Sequence, residues 1–243
     1  MKIGVISDIH GNYYSLETVL NYANKLGVDH FLVLGDLIGY FHEPDLVIRK
    51  LKELSCTFIR GNHERLLEKV MHGELNLYEV TEKYGPGHQK ALEKLDADEL
   101  NWLVNLPDEQ EVCFETLKIK LCHGSPLCPD EYIYPDASEE HLNQLLDGDS
   151  DFVFIGHSHY QFIYSSNNKL LINAGSVGLS RDIGGLANWG VLNTGNRIYT
   201  PIKTPYNVSS ILNDIDNYTH NKEYLKNAIL RNRQDIYLKK VGD

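Results

Sequence analysis

Three times in the first 64 residues, a short apolar run ends in a glycine-flanked loop carrying acids, amides or histidines. Lys2 to Ile6 runs into Asp8-Ile-His10-Gly-Asn12, His30 to Leu34 into Gly35-Asp36, and Thr57 to Ile59 into Gly61-Asn62-His63-Glu64. Helical spacing fills the intervals. Leu16, Val19, Leu20 and Ala23 share one face, and Leu46, Val47, Leu51 and Leu54 follow Pro44, a residue that favours helix starts. Strand, loop and helix repeated in this order predict parallel strands in an α/β sheet. The carboxyl ends of such strands gather on one edge, where open α/β sheets bind ligands.

Beyond that region the pattern changes. Leu66 to Leu106 is strand-poor and reads as helical, with a break at Gly85-Pro86-Gly87. Glu111 to Leu121 reads as a hairpin, and an irregular stretch rich in Pro, Tyr and acid follows His123-Gly-Ser-Pro126. Ser138 caps a helix with Leu142, Leu145 and Leu146 on one face. Asp151 to Ile155 is a strand ending in Gly156-His157-Ser158-His159, and Gln161 to Thr200 alternates strands with turns at Asn167-Asn168 and Gly184-Gly185. No repeat, low-complexity tract or linker interrupts the 243 residues. The expectation is a single domain over residues 1–243, with a helical insertion at about 66–106 and a helical C-terminal tail at about 209–239.

Five strand-end segments supply the chemistry: Asp8 and His10; Asp36; Asn62 and His63; His123; His157 and His159. Two carboxylates, one amide oxygen and up to five imidazoles are too many ligands for one ordinary transition metal. They suit two metals that share a carboxylate, and a pair about 3.5–4 Å apart clamps the attacking and leaving oxygens of a phosphoryl displacement. Mixed oxygen and imidazole ligands favour Mn²⁺, Fe²⁺ or Zn²⁺ over Ca²⁺ or Mg²⁺. His30, His42, His72, His88, His141 and His220 follow no such pattern and read as surface or packing residues, with His42 closest to an exception because it lies just past Asp36.

Charge sharpens the reading. Acids outnumber Lys and Arg by 34 to 23, a formal net charge of −11, and no long basic stretch offers a groove for extended nucleic acid. Two divalent ions against two aspartates leave a positive centre that draws a phosphate to an acidic protein. Phosphate-loop, GxGxxG, GxSxG and HExxH patterns are absent, so Ser125 and Ser158 lack a nucleophile elbow. Mean hydropathy is −0.34, and no apolar run approaches the roughly 18 residues of a membrane span. Cys56, Cys113, Cys122 and Cys128 lack CxxC spacing, and the N-terminus lacks signal-peptide architecture, which together point to free thiols in the cytoplasm.

The motifs D-x-H (Asp8, His10), G-D (Gly35, Asp36), G-N-H-E (Gly61 to Glu64), H-G (His123, Gly124) and G-H-S-H (Gly156 to His159), in this order, resemble the calcineurin-like metallophosphoesterase superfamily, and its compact prokaryotic phosphodiesterase branch in particular. Asn173-Ala-Gly-Ser-Val-Gly178 with Arg181 is similar to the segment after the last metal motif there. The resemblance covers most of residues 2–193. It implies a four-layer α/β/β/α sandwich with two metals at its edge. Carried over by position, Asp8, His10, Asp36 and His159 hold one metal, and Asp36, Asn62, His123 and His157 the other. His63 is implied as the catalytic group facing the phosphate. Arg60 and Arg181 are weaker candidates for phosphate contacts, because Arg is the usual bidentate phosphate partner, with a surface or structural role as the alternative for each.

Where the protein-phosphatase branch places an Asp and an Arg after the bridging carboxylate, this chain has Gly39 and Tyr40. That counts against protein dephosphorylation and leaves open which group orients His63. The expected activity is hydrolysis of small phosphodiesters or nucleotides by a metal-activated hydroxide, with Mn²⁺ first among the metals and Fe²⁺, Zn²⁺ or Ni²⁺ behind it. Dinucleoside polyphosphate hydrolysis and phosphomonoester hydrolysis are the alternatives within the class. A non-catalytic metal-binding scaffold is the alternative outside it.

Overall fold

Alternation sorts the apolar residues of the first strands onto two faces. Along β1 (Lys2–Ile6), Ile3 and Val5 point one way and Ile6 the other; along β2 (His30–Val33), Leu32 opposes Phe31 and Val33. The computed structural model describes residues 1–218 and 222–231 and places a different partner on each face. Ile6, Phe31 and Val33 pack under α1 (Tyr13–Leu26), α2 (Pro44–Lys52) and α3 (Asn62–Met71) through Leu16, Val19, Val47, Leu51 and Leu67. Ile3, Val5 and Leu32 meet Leu117, Ile119 and Leu121 of β5 (Leu117–Cys122) and Phe152 and Phe154 of β6 (Phe152–Ile155). The far side of β6, Val153 and Ile155, packs on Leu142 of α7 (Glu139–Gln144) and on Leu145 and Leu146. The layers are therefore helix, sheet, sheet and helix.

Each sheet has five strands among the described residues. The first runs β10 (Ile198–Pro205), β9 (Leu186–Asn193), β1, β2, β3 (Cys56–Phe58), and the second β4 (Glu109–Phe114), β5, β6, β8 (Lys169–Asn173), β7 (Phe162–Ser166). Parallel pairing holds for β1–β2–β3 and for β5–β6–β8. Elsewhere the pairs are antiparallel, including the expected hairpin of β4 and β5; the return of β9 against β1 is the one that spacing did not foretell. The cause lies in the connection. β8 ends at the edge where β1 and β2 also end, and the chain crosses to the first sheet along that edge, so β9 must run back against β1.

The segment expected to be helical holds the rest of α3 and then α4 (Leu77–Tyr84), α5 (Gly87–Lys94) and α6 (Ala97–Val104), with Gly85 and Pro86 breaking α4 from α5. The tail carries α8 (Val208–Tyr218) and α9 (Lys222–Ile229); its expected extent at 219–221 and 232–239, and His220 with it, lies outside the described residues. These helices are less polar in effect than the sequence suggests. Ile211, Ile215, Leu225, Ala228 and Ile229 are buried against Tyr40, Phe41 and Leu179. The tail thus covers the loop that follows Asp36. Among the described residues no helix is long and apolar enough to cross a membrane.

Ile215 has no exposed surface. Truncating such a side chain costs about 2–5 kcal/mol. Ile215→Ala should lower the unfolding free energy by that amount, read as a lower urea midpoint with an unchanged slope. A midpoint equal to wild type would mean that the tail does not pack on the Tyr40 loop in solution.

Candidate metal centre

Both sheets deliver the candidate ligands to one edge. Asp8 follows β1, Asp36 follows β2, Asn62 opens α3 just beyond β3, His123 follows β5, and His157 and His159 follow β6. Five of them adopt left-handed backbone: Asp8 (φ 54°), His10 (54°), Asp36 (53°), His157 (62°) and His159 (63°). Among the described residues, the other non-glycine cases are Glu115, Asn167, Asn168 and Arg197, all in hairpin turns where tight reversal demands it. The five at the sheet edge have no hairpin to explain them. Such conformations cost on the order of 1–3 kcal/mol each and persist where surrounding structure enforces them. Here the enforcement is a lattice of backbone bonds: Ile9 and His10 donate to the Asp36 carbonyl (2.8 and 2.9 Å), Asp8 donates to Gly35 (3.1 Å), and Gly178 donates to Asp8 (3.0 Å).

Each carboxylate has one oxygen held by donors and one facing the centre. Asp8 Oδ2 accepts from Ser7 Oγ (2.6 Å) and from the His157 amide (3.0 Å), while Asp36 Oδ1 accepts from the His63 amide (2.8 Å). His10, His123 and His159 each point Nδ1 at a backbone carbonyl, of Ile38 (3.1 Å), Leu34 (2.7 Å) and Leu179 (2.6 Å). A carbonyl only accepts, so Nδ1 carries the proton and Nε2 of a neutral ring presents a bare lone pair. These lone pairs converge. His10 Nε2 and His159 Nε2 are 3.1 Å apart, His159 Nε2 is 3.1 Å from Asp8 Oδ1, and His123 Nε2 is 3.4 Å from Asp36 Oδ2 and 3.1 Å from Asn62 Oδ1. His157 reverses the pattern, with Nε2 on the Asp130 carbonyl (3.2 Å) and Nδ1 left as its ligand atom.

Carboxylate and imidazole ligand atoms that converge in buried positions make a candidate cation site. Two groups have ligand atoms within 4.8 Å of one another: Asp8, His10, Asp36 and His159, and Asp36, His123 and His157. Asp36 belongs to both, and Asn62 joins the second through His123. Imidazole with carboxylate is a donor set for transition metals.

The electrostatics agree. Burial pushes the imidazoles of His10 and His157 down to about 3 and about 4, and lowers His63 well below the ordinary histidine value, so these rings are neutral. For Asp36, burial works upward, but His123 and His63 outweigh it and hold the carboxyl well below the usual range. His123 responds in kind: burial would lower it, but Asp36 raises it to about 9. The field that holds a proton on His123 equally holds a cation in its place.

Several supporting residues escaped the sequence reading. Glu64 is fully buried and accepts four backbone N–H bonds, from Asp36 (2.8 Å) and Gly61 (2.7 Å) on Oε2 and from Leu37 (2.9 Å) and Ile38 (3.3 Å) on Oε1. It clamps the Asp36 loop to the start of α3. The signal was present as a Glu at the third helical position, the capping-box place. Gly61 is required by closeness, since a Cβ there would lie 2.1 Å from Asp36 Oδ1. Asn173 pins the His157–His159 loop by donating to the Gly156 carbonyl (2.8 Å) and Ser158 Oγ (3.0 Å).

The two arginines part company. Arg60 forks onto Asp108 (2.8 and 3.0 Å) and bonds Glu68 (2.8 Å) and the Val104 carbonyl (2.7 Å). All three nitrogens are engaged in tying the β3–α3 loop to α6, which is the structural one of the two roles expected for Arg60. Arg181 meets no carboxylate within ion-pair distance among the described residues; its guanidinium carbon lies 5.9 Å from the Tyr132 ring centre. His42 is buried in neither ligand group. Beside Asn62 and His157 opens a cleft of about 270 Å³ walled by Tyr84 and Tyr132, with Arg65 and Lys69 also lining it.

Residues 1–194 match the sequence profile described as the calcineurin-like phosphoesterase superfamily domain. An uncharacterized protein of Methanocaldococcus jannaschii is 32% identical over 184 residues, 74% of this chain and 71% of its own. A hypothetical protein from Pyrococcus horikoshii superposes with a TM-score of 0.77 at 19% identity, covering 88% of this chain and 92% of that one. A metallophosphoesterase from Sphaerobacter thermophilus does so at 0.71 and 23%, covering 89% and 93%. A structure described as a novel archaeal phosphodiesterase gives 0.51 and 21%, covering 84% and 100%. These likenesses are likenesses of fold.

The Glu64 clamp is testable. Glu64→Gln turns one acceptor oxygen into an NH₂ that faces two backbone donors. Stranding two donors at about 1–3 kcal/mol each predicts a loss of about 2–6 kcal/mol. Calorimetric unfolding of the variant should show that loss together with reduced Mn²⁺ retention after dialysis. Wild-type stability and metal retention would refute the clamp.

Proposed function

The chain belongs to the calcineurin-like phosphoesterase superfamily, and from that premise we propose that it is a dinuclear metal-dependent phosphoesterase acting on small phosphodiesters or nucleotides. One observation carries the reading: two groups of buried carboxylate and imidazole ligand atoms share Asp36. Asp8, His10, Asp36 and His159 hold one divalent ion, and Asp36, Asn62, His123 and His157 the other. Mn²⁺ is the first choice, ahead of Fe²⁺, Zn²⁺ and Ni²⁺. Ions held there supply Lewis-acid activation of water and neutralise charge on the phosphoryl oxygens.

The chain's own residues do the rest. Asp36 sets the spacing of the two groups. His63 Nε2 lies 4.0 Å from Asp36 Oδ2 yet outside both groups. From there it hydrogen-bonds the leaving oxygen as charge develops on it. Arg181, with its guanidinium carbon 5.9 Å from the Tyr132 ring centre and no carboxylate within ion-pair distance among the described residues, offers a second anion contact. The cleft between Tyr84 and Tyr132 suits a small, flat substituent on the phosphate. With a formal charge of −11, a small substrate fits better than a polymer. The fold neighbour described as an archaeal phosphodiesterase is consistent with a diester. The four cysteines are all free thiols, in keeping with a cytoplasmic protein.

Two variants separate binding from chemistry. Asp36→Asn should weaken metal binding at both positions. His63→Ala should keep its metal while kcat falls by about 10²–10⁴, the usual contribution of an acid–base group. Metal analysis beside steady-state kinetics on an alkyl phosphodiester, whose poor leaving group needs the donor, decides, and equal metal loss in the two variants would overturn the assignment of His63. A screen of the Mn²⁺-loaded protein should find turnover of an activated diester and of some nucleotide or dinucleoside polyphosphate. Phosphoproteins should be poor substrates. Two bound metals with no turnover of any phosphoester would favour the scaffold reading.

A further inference from the structure

No motif pointed to His88, which lies in the helical insertion, yet α5 brings its imidazole flat against His63. The ring centres are 5.1 Å apart with planes at 23°. His88 Nε2 donates to the backbone carbonyl of His63 itself (3.2 Å), and His88 is fully buried. Tyr84, at the end of α4, meets His63 edge-on at 5.0 Å and 74°, and Tyr40 lies 5.1 Å away on another side. His63 Nδ1 has no hydrogen-bond partner among the described residues. The carbonyl that fixes each of His10, His123 and His159 is therefore lacking at His63, the strand-end histidine outside the ligand groups.

Gly39 explains the lack. At φ 132°, a Cβ on this residue would lie 2.6 Å from His63 Nδ1 and 2.7 Å from His10 Nδ1, so a carboxylate-bearing residue does not fit there. Gly39 is in turn met by Gly87, the first residue of α5, where a Cβ would lie 1.2 Å from the Gly39 carbonyl oxygen. Glycine against glycine lets α5 approach closely enough for the next residue, His88, to reach His63.

We infer that His88 is a positioning residue for His63, taking the place that an acidic partner would otherwise fill: its ring stacks on the His63 ring, its Nε2–H holds the His63 carbonyl, and Tyr84 closes the edge. The inference rests on the reading of His63 as the group that assists the leaving oxygen. It assigns α4 and α5 a part in orienting that group, beyond lining the entrance.

A packing role and a positioning role diverge in leaving-group dependence. The test is steady-state kinetics of the full-length, Mn²⁺-loaded protein on a series of phosphodiesters running from p-nitrophenyl to alkyl leaving groups. His88→Ala should lose little on p-nitrophenolate and about 10–100-fold in kcat as the leaving group becomes poorer and needs a hydrogen-bond donor more. Metal content and KM should stay close to wild type. Placed on His63→Ala, the same change should add no further loss. His88→Phe, which keeps the stack, and His88→Gln, which keeps the bond, should each fall between wild type and His88→Ala, and they carry the test if His88→Ala does not fold. Losses equal across the series, or losses that add to those of His63→Ala, would overturn the inference while leaving the phosphoesterase reading intact. A wild-type protein that turns over no phosphoester would overturn that reading and this inference with it.

Discussion

Asp36 lies between two groups of buried acceptor atoms, and a carboxylate so placed is repelled from both sides unless positive charge sits with it. Its one satisfied oxygen bonds the His63 amide, and its backbone carbonyl holds the Ile9 and His10 amides. The rest of the edge is arranged around that residue. Glu64 fixes the loop from the α3 side, and Gly61 is bare so that the carboxylate can turn inward. Five left-handed residues store strain in the same place. Strain and converging acceptors both destabilise the fold by themselves, and a cation bound as proposed would offset both. Metal affinity and folding stability are therefore linked in this chain.

Around this edge the molecule adds two elements that reach the chemistry indirectly. The insertion docks α5 on Gly39 and supplies His88 and Tyr84 to the flank of His63. The tail buries Ile211, Ile215 and Leu225 against Tyr40 and Phe41, and Tyr224 comes within 6.4 Å of the Tyr40 ring. A run of rings, Tyr224 to Tyr40 to His63, connects the tail to the centre. Phe41 and Tyr40 sit in the loop after Asp36, so a loosened tail loosens that loop.

Legibility in the sequence followed distance along the chain. Strand, glycine and ligand are neighbours in Asp8-Ile-His10-Gly and in Gly156-His157-Ser158-His159, so the ligand loops could be read directly. The layered fold followed from strand-to-helix alternation together with family resemblance. What stayed hidden needed contacts between distant residues. His88 looks like an ordinary packing histidine until α5 is folded back 25 residues onto His63. Arg60 stayed open between a phosphate contact and a structural role because its partners Asp108 and Glu68 are 48 and 8 residues away. The reversal of β9 depends on where the chain crosses between sheets, which local spacing does not record. The tail read as polar because its apolar residues find their partners far along the chain, at Tyr40, Phe41 and Leu179.

Anomalous diffraction from Mn²⁺-loaded crystals tests the central claim most directly. The account predicts two peaks per chain, about 3.5–4 Å apart as in two-metal sites, with the Asp36 carboxylate between them. One peak at saturating Mn²⁺, or two peaks that do not share Asp36, would contradict it.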